Sequence, residues 1–315
     1  CRDTRVGTVG VPLGVLLVPG GRKQGTGPVL GGSLCRIASF TAAADQASAA
    51  AAPVQVSGAA APVRGDASKP ALPAIYRPEP AAMLQTLEQA LDISDVTVEE
   101  MLAQMLLIGF RGLGPGEAEY AAAYRAFRDF ISQGKAGGVI LFNRDHSSGS
   151  RVRNILSPAQ LTALCADLQE AAPAPLFIAV DQEGGRVRRL TGEAGFSDLP
   201  SPAEMGRLKV DSVYWIAKEL GLELRALGVN VEFAPSLDRN VNPENRVIGS
   251  LGRSFGADPR SVASYGRFFM SGLNEVGILG SYKHFPGHGS SRSDTHVEFT
   301  DITSSWSDQE LEPYR

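Results

Sequence analysis

The stretch KHFPGHGSSRSDTHVEF, residues 283–299, holds three of the four histidines in the chain. Imidazoles crowded among carboxyl, hydroxyl and glycine residues could bind a metal, transfer a proton or simply pack. His284 and His288 are four residues apart, a spacing that aligns two metal ligands on a helix. Pro286 lies between them and excludes a helix, so the spacing loses that meaning. A loop could still gather these side chains around a metal, which is the less favoured interpretation.

Asp294 and His296 are two residues apart and suit proton transfer. A carboxylate beside an imidazole fixes the tautomer of the ring and presents its other nitrogen to a substrate. Lys283, at the expected end of a strand, would stand beside the pair as a fixed donor. Simple packing fits His284 and His288 better than His296, because both flank the tight FPG turn.

Two further polar segments follow apolar runs. DQEGGRVRRL starts at Asp181, whose carboxylate could accept hydrogen bonds from sugar hydroxyls, and its paired glycines, Gly184 and Gly185, allow a sharp turn. A loop held by internal salt bridges of its arginines is the alternative. The second segment is RVIGSLGRSFGADP, residues 246–259, with Arg253 near its centre. If Arg253 lay at the surface, it would simply be solvated and have no functional role. Long loops between a strand and a helix are more often functional.

The elements that must position these residues alternate between short apolar runs and amphipathic helices. This alternation indicates a parallel sheet covered by helices, either doubly wound or a (β/α)8 barrel. No glycine-rich nucleotide motif follows any of the runs, which favours the barrel. The sequence therefore predicts an α/β fold of the (β/α)8 TIM-barrel type, with strands within 105–110, 137–142, 174–180, 229–235 and 278–285.

A (β/α)8 barrel has eight strand-helix units, whereas about five precede Arg315. The last residues, SDQELEPYR, have the pattern of the start of another helix. We therefore expect the barrel to be incomplete and cut short. Because such a fragment would leave sheet edges and part of the core exposed, we expect residues 1–315 alone to be insoluble or inactive.

Composition narrows the class of protein. A chain with 43% hydrophobic and 20% charged residues is typical of a soluble globular protein, and its net charge of −4 offers no basic field for nucleic acid. No apolar run reaches the length of a membrane span. Residues 1–82, rich in Ala, Pro and Gly, predict a disordered leader, which favours the periplasm or cell envelope over the cytoplasm. Cys165 lies in a helical pattern that predicts a buried thiol.

GGVILF, AVDQEGGRV, LGRSF and above all KHFPGHGSSRSDTH resemble glycoside hydrolase family 3, in its bacterial β-N-acetylhexosaminidase branch. The resemblance runs from about residue 96 to the end. It implies that 83–315 is the barrel catalytic domain, cut short at its C-terminus. It also implies retaining hydrolysis of terminal β-linked N-acetylglucosamine from peptidoglycan- or chitin-type saccharides, without a metal. We also expect a monomer that needs no cofactor.

The resemblance also implies roles for individual residues. His296 becomes the acid/base and Asp294 its orienting partner. The nucleophile of the family is an aspartate after the seventh strand, which places it beyond residue 315. FSD, at 196–198, comes two strands too early to replace it. The sugar-binding set consists of Asp181, Arg189, Arg253, Lys283 and His284.

Three alternatives stay open at this point. The chain could be a non-catalytic carbohydrate-binding or cell-wall-associated protein, since its nucleophile is expected elsewhere. It could be a β-glucosidase of the same family, although the histidine-bearing loop argues against that. It could also be a metal-dependent barrel hydrolase, if a loop did gather His284, His288, Asp294 and His296.

Overall fold

The computed structural model describes residues 96–145, 152–294 and 299–315. The predicted leader, residues 1–82, lies outside these ranges, and so does His296. The disorder of the leader and the acid/base role of His296 therefore stay predictions. In the part of the chain that is described, no helix combines the length and the apolar character needed to cross a bilayer.

The described residues contain a sheet of five parallel strands in sequence order, each beside its predecessor. A doubly wound sheet reverses its strand order at a switch point, whereas a barrel winds in one direction. The observed order therefore decides between the two folds that the sequence allowed, and the α/β fold of TIM-barrel type is confirmed. The strands are β1 (Leu107–Ile108), β2 (Gly138–Ile140), β3 (Phe177–Val180), β4 (Val231–Glu232) and β5 (Leu279–Gly280).

Helices connect successive strands and cover the outside of the sheet, as parallel pairing requires. Short 3-10 turns occupy Gly192–Ala194, Asp308–Glu310 and Glu312–Tyr314. The α-helices are α1 (Val98–Gln104), α2 (Ala121–Ser132), α3 (Pro158–Ala171), α4 (Pro202–Met205), α5 (Val210–Leu227) and α6 (Pro259–Glu275).

Local sequence sets where the helices begin. The Thr97 hydroxyl accepts a hydrogen bond from the Glu100 amide at 3.2 Å, and the Glu100 carboxylate accepts one from the Thr97 amide at 2.9 Å. This is a capping box at the start of α1. Ser157 caps α3 by accepting from the Gln160 amide, with Pro158 at the first helical position. Both helix starts therefore follow from residues close together in sequence.

The last two strands are shorter than the apolar runs that predicted them, 229–235 and 278–285. Pro235 has no amide hydrogen and interrupts the ladder, but pairing resumes as an isolated parallel bridge between Ser236 and Lys283. The bridge matters for function, because it brings the segment after β4 alongside the segment after β5.

Apolar side chains fill the space between sheet and helices. Val139, Ile178 and Val180, on β2 and β3, are fully buried, as expected for strands covered on both faces. Cys165 on α3 is a free, buried thiol whose pKa burial raises to about 12, which confirms the prediction for this residue.

The end of the chain differs from the prediction. SDQELEPYR forms two 3-10 turns, Asp308–Glu310 and Glu312–Tyr314, and the expected α-helix is absent from these described residues. Pro313 explains the difference, because proline lacks an amide donor and disfavours the α conformation of the residue before it.

The packing of α5 against α6 gives a test of the fold. At Gly272 on α6, a Cβ atom would lie 2.3 Å from the Tyr214 carbonyl oxygen of α5. Alanine is ordinarily better than glycine in a helix by about 1 kcal/mol, but here it would force the helices apart. We expect Gly272→Ala to lower the free energy of unfolding by about 1–3 kcal/mol, measured by chemical denaturation.

Asn274→Ala, at an exposed position of the same helix, is the matched control. It should stay within about 0.5 kcal/mol of the original protein. A Gly272→Ala variant that is as stable as this control would show that the two helices do not pack as closely as described.

Candidate active site

The polar side chains predicted from sequence gather at one edge of the sheet, where the strands end. Asp181 directly follows β3, and Lys283 and His284 follow β5. The Ser236–Lys283 bridge then places Asp238, two residues after Ser236, beside the same cluster. Because the carboxyl ends of parallel strands meet at one edge, the fold builds the site from segments far apart in sequence.

Lys283 is the centre of the cluster. Its Nζ lies 2.8 Å from Oδ1 of Asp181 and 2.6 Å from Oε1 of Glu183. The other carboxylate oxygen of Asp181 accepts from Nη2 of Arg189 at 3.1 Å. One ammonium and one guanidinium therefore hold the Asp181 carboxylate from both sides.

Arg253 joins this cluster to His284. Its Nε and Nη2 donate to the two Glu183 carboxylate oxygens at 2.8 and 2.7 Å, a bidentate pair. The same Nη2 lies 2.9 Å from Nε2 of His284. A guanidinium only donates, so Nε2 of His284 must be the acceptor and Nδ1 must carry the hydrogen.

The Nδ1 hydrogen of His284 points to Asp238, whose Oδ2 is 2.5 Å away. Both ring nitrogens are thus engaged by protein groups and neither is available to a metal in this arrangement. Across the described residues, no group of three or more His, Cys, Asp or Glu side chains could hold a metal ion.

Asp238 is fully buried and accepts hydrogen bonds from three groups: His284, the His288 amide at 2.7 Å and the Ser236 hydroxyl at 3.0 Å. Burial alone would raise its pKa, but these bonds, led by that of His284, hold the pKa below its ordinary value. Asp238 therefore stays ionised and fixes both the ring of His284 and the backbone of the following turn.

The charges of the Lys283 cluster also stabilise one another. Burial would raise the pKa of Asp181 and Glu183, but the Lys283 ammonium, with Arg189 or Arg253, outweighs burial and lowers both. Burial would lower the pKa of Lys283, and the Glu183 and Asp181 carboxylates raise it instead. All of these groups remain charged at neutral pH.

The cluster has two layers. The upper layer, the four predicted sugar ligands Asp181, Arg189, Lys283 and His284, keeps between 15 and 32% of its side-chain surface exposed. The lower layer is buried: the Glu183 and Asp238 side chains are 0% exposed and that of Arg253 is 8% exposed. The lower layer positions the upper one, and only the upper layer offers much surface to a ligand.

The glycine pair after Asp181 makes the turn that the sequence predicts. Gly184 and Gly185 have φ angles of +94° and +57°, and a Cβ on Gly184 would lie 2.1 Å from the Pro200 carbonyl oxygen. The loop also contains the internal salt bridge considered as an alternative, since Arg188 pairs with Asp198 at 3.4 Å.

The aspartate of the FSD segment, Asp198, is 76% exposed and pairs with Arg188 in that loop. A nucleophile must face the bound sugar from a fixed position. The exposed side chain of Asp198 agrees with leaving this segment out of the site.

The histidine-rich stretch is anchored to the loop after β4 by a buried amide. Nδ2 of Asn245 donates to the carbonyls of His288 and Ser291 at 2.7 and 3.0 Å. Asp294, further along, is half-buried. His296 lies outside the described residues, so the predicted Asp294–His296 pair stays a prediction.

Comparison with known proteins agrees with the geometry. Residues 97–315 match the model of the glycosyl hydrolase family 3 N terminal domain, which covers more than half of the chain. The chain belongs to glycosyl hydrolase family 3. The family predicted from the sequence motifs is confirmed, and the cluster at the strand ends lies where barrel enzymes bind their substrates.

Named relatives in this family are β-hexosaminidases. The chain is 40% identical to the Beta-hexosaminidase of Nitrosomonas eutropha over 195 residues, 59% of this chain and 52% of the relative. It is 39% identical to the Beta-hexosaminidase of Xylella fastidiosa strain M23, over 62% of this chain and 53% of the relative. The chain thus spans about half the length of the curated relatives it matches.

Solved structures of family 3 share the fold. A β-N-acetylglucosaminidase from Paenibacillus sp. str. FPU-7 superposes with a TM-score of 0.59 at 35% identity, over 70% of this chain and 39% of that one. A β-N-acetylhexosaminidase from Beutenbergia cavernae gives 0.58 at 28% identity, over 70% of this chain and 63% of that one.

Sequence reasoning missed the supporting residues. Glu183 belongs to the DQEGG motif but received no role, and Asp238 and Asn245 lie in the polar segment after β4 without one. Glu232, inside the apolar run VNVEFAP, was also passed over. A carboxylate in an otherwise apolar strand is a usable signal, because an isolated buried charge is costly.

The lower layer gives a testable prediction. Glu183→Gln removes the carboxylate partner of Arg253 and one of the two carboxylate partners of Lys283, and it should lower the free energy of unfolding by about 3–5 kcal/mol at neutral pH. Because the fold lowers the pKa of Glu183 below 4.5, its contribution is full above about pH 4.5 and is lost as pH falls through the lowered pKa. Urea denaturation at a series of pH values measures it.

Glu193→Gln, 80% exposed in the loop that follows the same strand, is the control and should remain close to the original protein. If Glu183→Gln instead unfolds at the original urea midpoint at neutral pH, the buried charge cluster does not stabilise the fold.

Proposed function

We propose that this chain forms the sugar-binding barrel domain of a β-N-acetylhexosaminidase, which removes terminal β-linked N-acetylglucosamine from peptidoglycan- or chitin-type saccharides. The names of its family 3 relatives support the proposal. The observation that carries it is the balance of charge at the strand ends. Three carboxylates face three cations, namely Asp181, Glu183, Asp238, Arg189, Arg253 and Lys283.

A balanced site of this kind suits a neutral ligand with many hydroxyls. An anionic ligand would need uncompensated positive charge, which the paired cations do not supply. The Asp181 carboxylate can accept from sugar hydroxyls, while Lys283 and Arg189 can donate to sugar oxygens. His284 can contact the sugar through the edge of its ring. Arg253, the fifth predicted ligand, has little exposed surface, and its proposed contribution is to hold Glu183 and His284.

The proposed reaction is a retaining double displacement. His296 protonates the leaving oxygen and later activates water, oriented by Asp294, and an aspartate expected beyond residue 315 is the nucleophile. Retaining glycosidases commonly use a carboxyl with a raised pKa as the acid. An imidazole needs no such adjustment, because its ordinary pKa already lies near neutrality. In this proposal the enzyme works as a monomer on an oligosaccharide with a terminal N-acetylhexosamine.

Binding tests the sugar site independently of catalysis. We expect N-acetylglucosamine to bind the natural protein and Asp181→Asn to weaken binding by a factor of about 10 to 100, because a charged hydrogen-bond acceptor is lost. Isothermal titration calorimetry measures both affinities. Asp198→Asn, an exposed aspartate of the same loop, should bind as the original protein does. Equal affinities of all three proteins would remove Asp181 from the sugar site.

Hydrolysis tests the acid/base role. In the natural protein, His296→Ala should lower kcat/KM for an N-acetylglucosaminide with a poor leaving group by about 10² to 10⁴. A nitrophenyl glycoside needs less protonation and should lose much less. Steady-state kinetics on both substrates measure the two losses of kcat/KM. Equal losses would exclude an acid role for His296. A natural protein that binds the sugar but hydrolyses neither would favour the non-catalytic carbohydrate-binding alternative.

A further inference from the structure

Glu232, the last residue of β4, lies beneath the sugar site. The strand register places it opposite Gly280 of β5 and Val180 of β3, and Val180 is the residue that precedes Asp181. It is fully buried. Its Oε1 accepts a hydrogen bond from the Gln182 amide at 2.7 Å. Its Oε2 has no hydrogen-bond partner among the described residues.

The hydrogen bond to Gln182 reaches the upper layer of the site. Gln182 is the residue between Asp181 and Glu183, so Glu232 fixes the peptide that separates the two carboxylates around Lys283. The side chain of Gln182 also accepts from the Arg189 amide at 2.8 Å. One buried carboxyl therefore holds, through one residue, the segment that carries two predicted sugar ligands.

The surroundings of Glu232 disfavour a negative charge. Three charged groups face it: the Asp181 and Glu183 carboxylates from the end of β3, and the Lys283 ammonium from the end of β5. Lys283 is in contact with the two other carboxylates. Burial, reinforced by Asp181 and Glu183, raises the pKa of Glu232 well above its ordinary value, and the Gln182 bond and Lys283 reduce this effect only in part.

We propose that Glu232 is kept in its neutral, protonated form and acts as a positioning residue, which fixes the peptide between Asp181 and Glu183 without adding charge beneath them. An ionised Glu232 would upset the balance of three carboxylates and three cations in the site. The link to sugar binding rests on the proposed function, whereas the protonation state does not.

The protonation state determines how stability depends on pH. In the unfolded chain Glu232 ionises near its ordinary pKa of 4.5, whereas in the fold it keeps its proton above that pH. Unfolding then releases a proton, so the contribution of Glu232 to stability is full below about pH 4.5 and is lost as pH rises through the raised pKa. A charged Glu232 that was stabilised by Lys283 would show the opposite trend.

Glu232→Gln tests this directly, because glutamine keeps the Oε1 acceptor and cannot ionise. We expect the unfolding constant of the original protein, divided by that of Glu232→Gln, to rise with pH above about 4.5, by up to tenfold for each pH unit. Urea denaturation from pH 4.5 to 8 measures this ratio. A ratio that is constant or falls with pH overturns the proposal.

Glu219→Gln, which removes the same charge from an exposed position of α5, controls for net charge and should show no comparable rise. Infrared spectroscopy gives a second readout in the native state. The difference between the original protein and Glu232→Gln at pH 7 should contain the carbonyl band of a protonated carboxyl group. A carboxylate band in its place would overturn the proposal even if the denaturation data were inconclusive.

The positioning role has its own measurement. Glu232→Leu removes the acceptor for the Gln182 amide while keeping a side chain of similar size, so it should weaken N-acetylglucosamine binding more than Glu232→Gln does. Equal affinities of Glu232→Leu and Glu232→Gln for N-acetylglucosamine would limit Glu232 to a structural role. If the original protein bound no N-acetylglucosamine, the proposed function would fail, while the pH dependence of unfolding would still decide the protonation state.

Discussion

The site depends on one partly buried ammonium group. Lys283 has little access to water, and an unpaired charge in that position would cost several kcal/mol. The fold compensates by placing Asp181 and Glu183 within 2.8 and 2.6 Å of Nζ. Each carboxylate then needs a second cation for its remaining oxygen, which Arg189 and Arg253 supply. The need to pair the Lys283 ammonium thus explains the presence of four more charged side chains, namely two carboxylates and two guanidinium groups.

This pairing also explains why the site has two layers. Charged groups that are fully paired below the surface cannot rearrange to meet a ligand, so they make a rigid base for those above. Glu183 and Asp238 form that base, and His284 is held by Arg253 and Asp238 in one tautomer. The ligand therefore meets donors and acceptors whose directions are set before it arrives. Such preorganisation would favour one orientation of the proposed neutral sugar.

Sequence alone predicted the parts of the molecule that are governed locally. Buried strands followed from continuous apolar runs, and the helix starts at Thr97 and Ser157 depend on capping residues that are local in sequence. Asp181 and Lys283 could be placed at this edge of the sheet because Asp181 directly follows one apolar run and Lys283 lies near the end of another. Asp238 could not, because nothing in SLDRN separates a buried acceptor from a solvated one. Its role depends on the register that sets Ser236 beside Lys283, which is a long-range property.

The same long-range register links the proposed sugar site to the segment proposed to transfer the proton. Asp238 accepts from both His284 and the His288 amide, while Asn245 holds the carbonyls of His288 and Ser291. The segment leading to Asp294 is therefore fixed to the loop after β4 by Asp238, which also orients His284, and by Asn245. A shift of the loop after β4 would therefore move both His284 and the segment leading to Asp294. In the proposed function, the crowding of histidines in one stretch reflects two roles, sugar binding by His284 and proton transfer by His296.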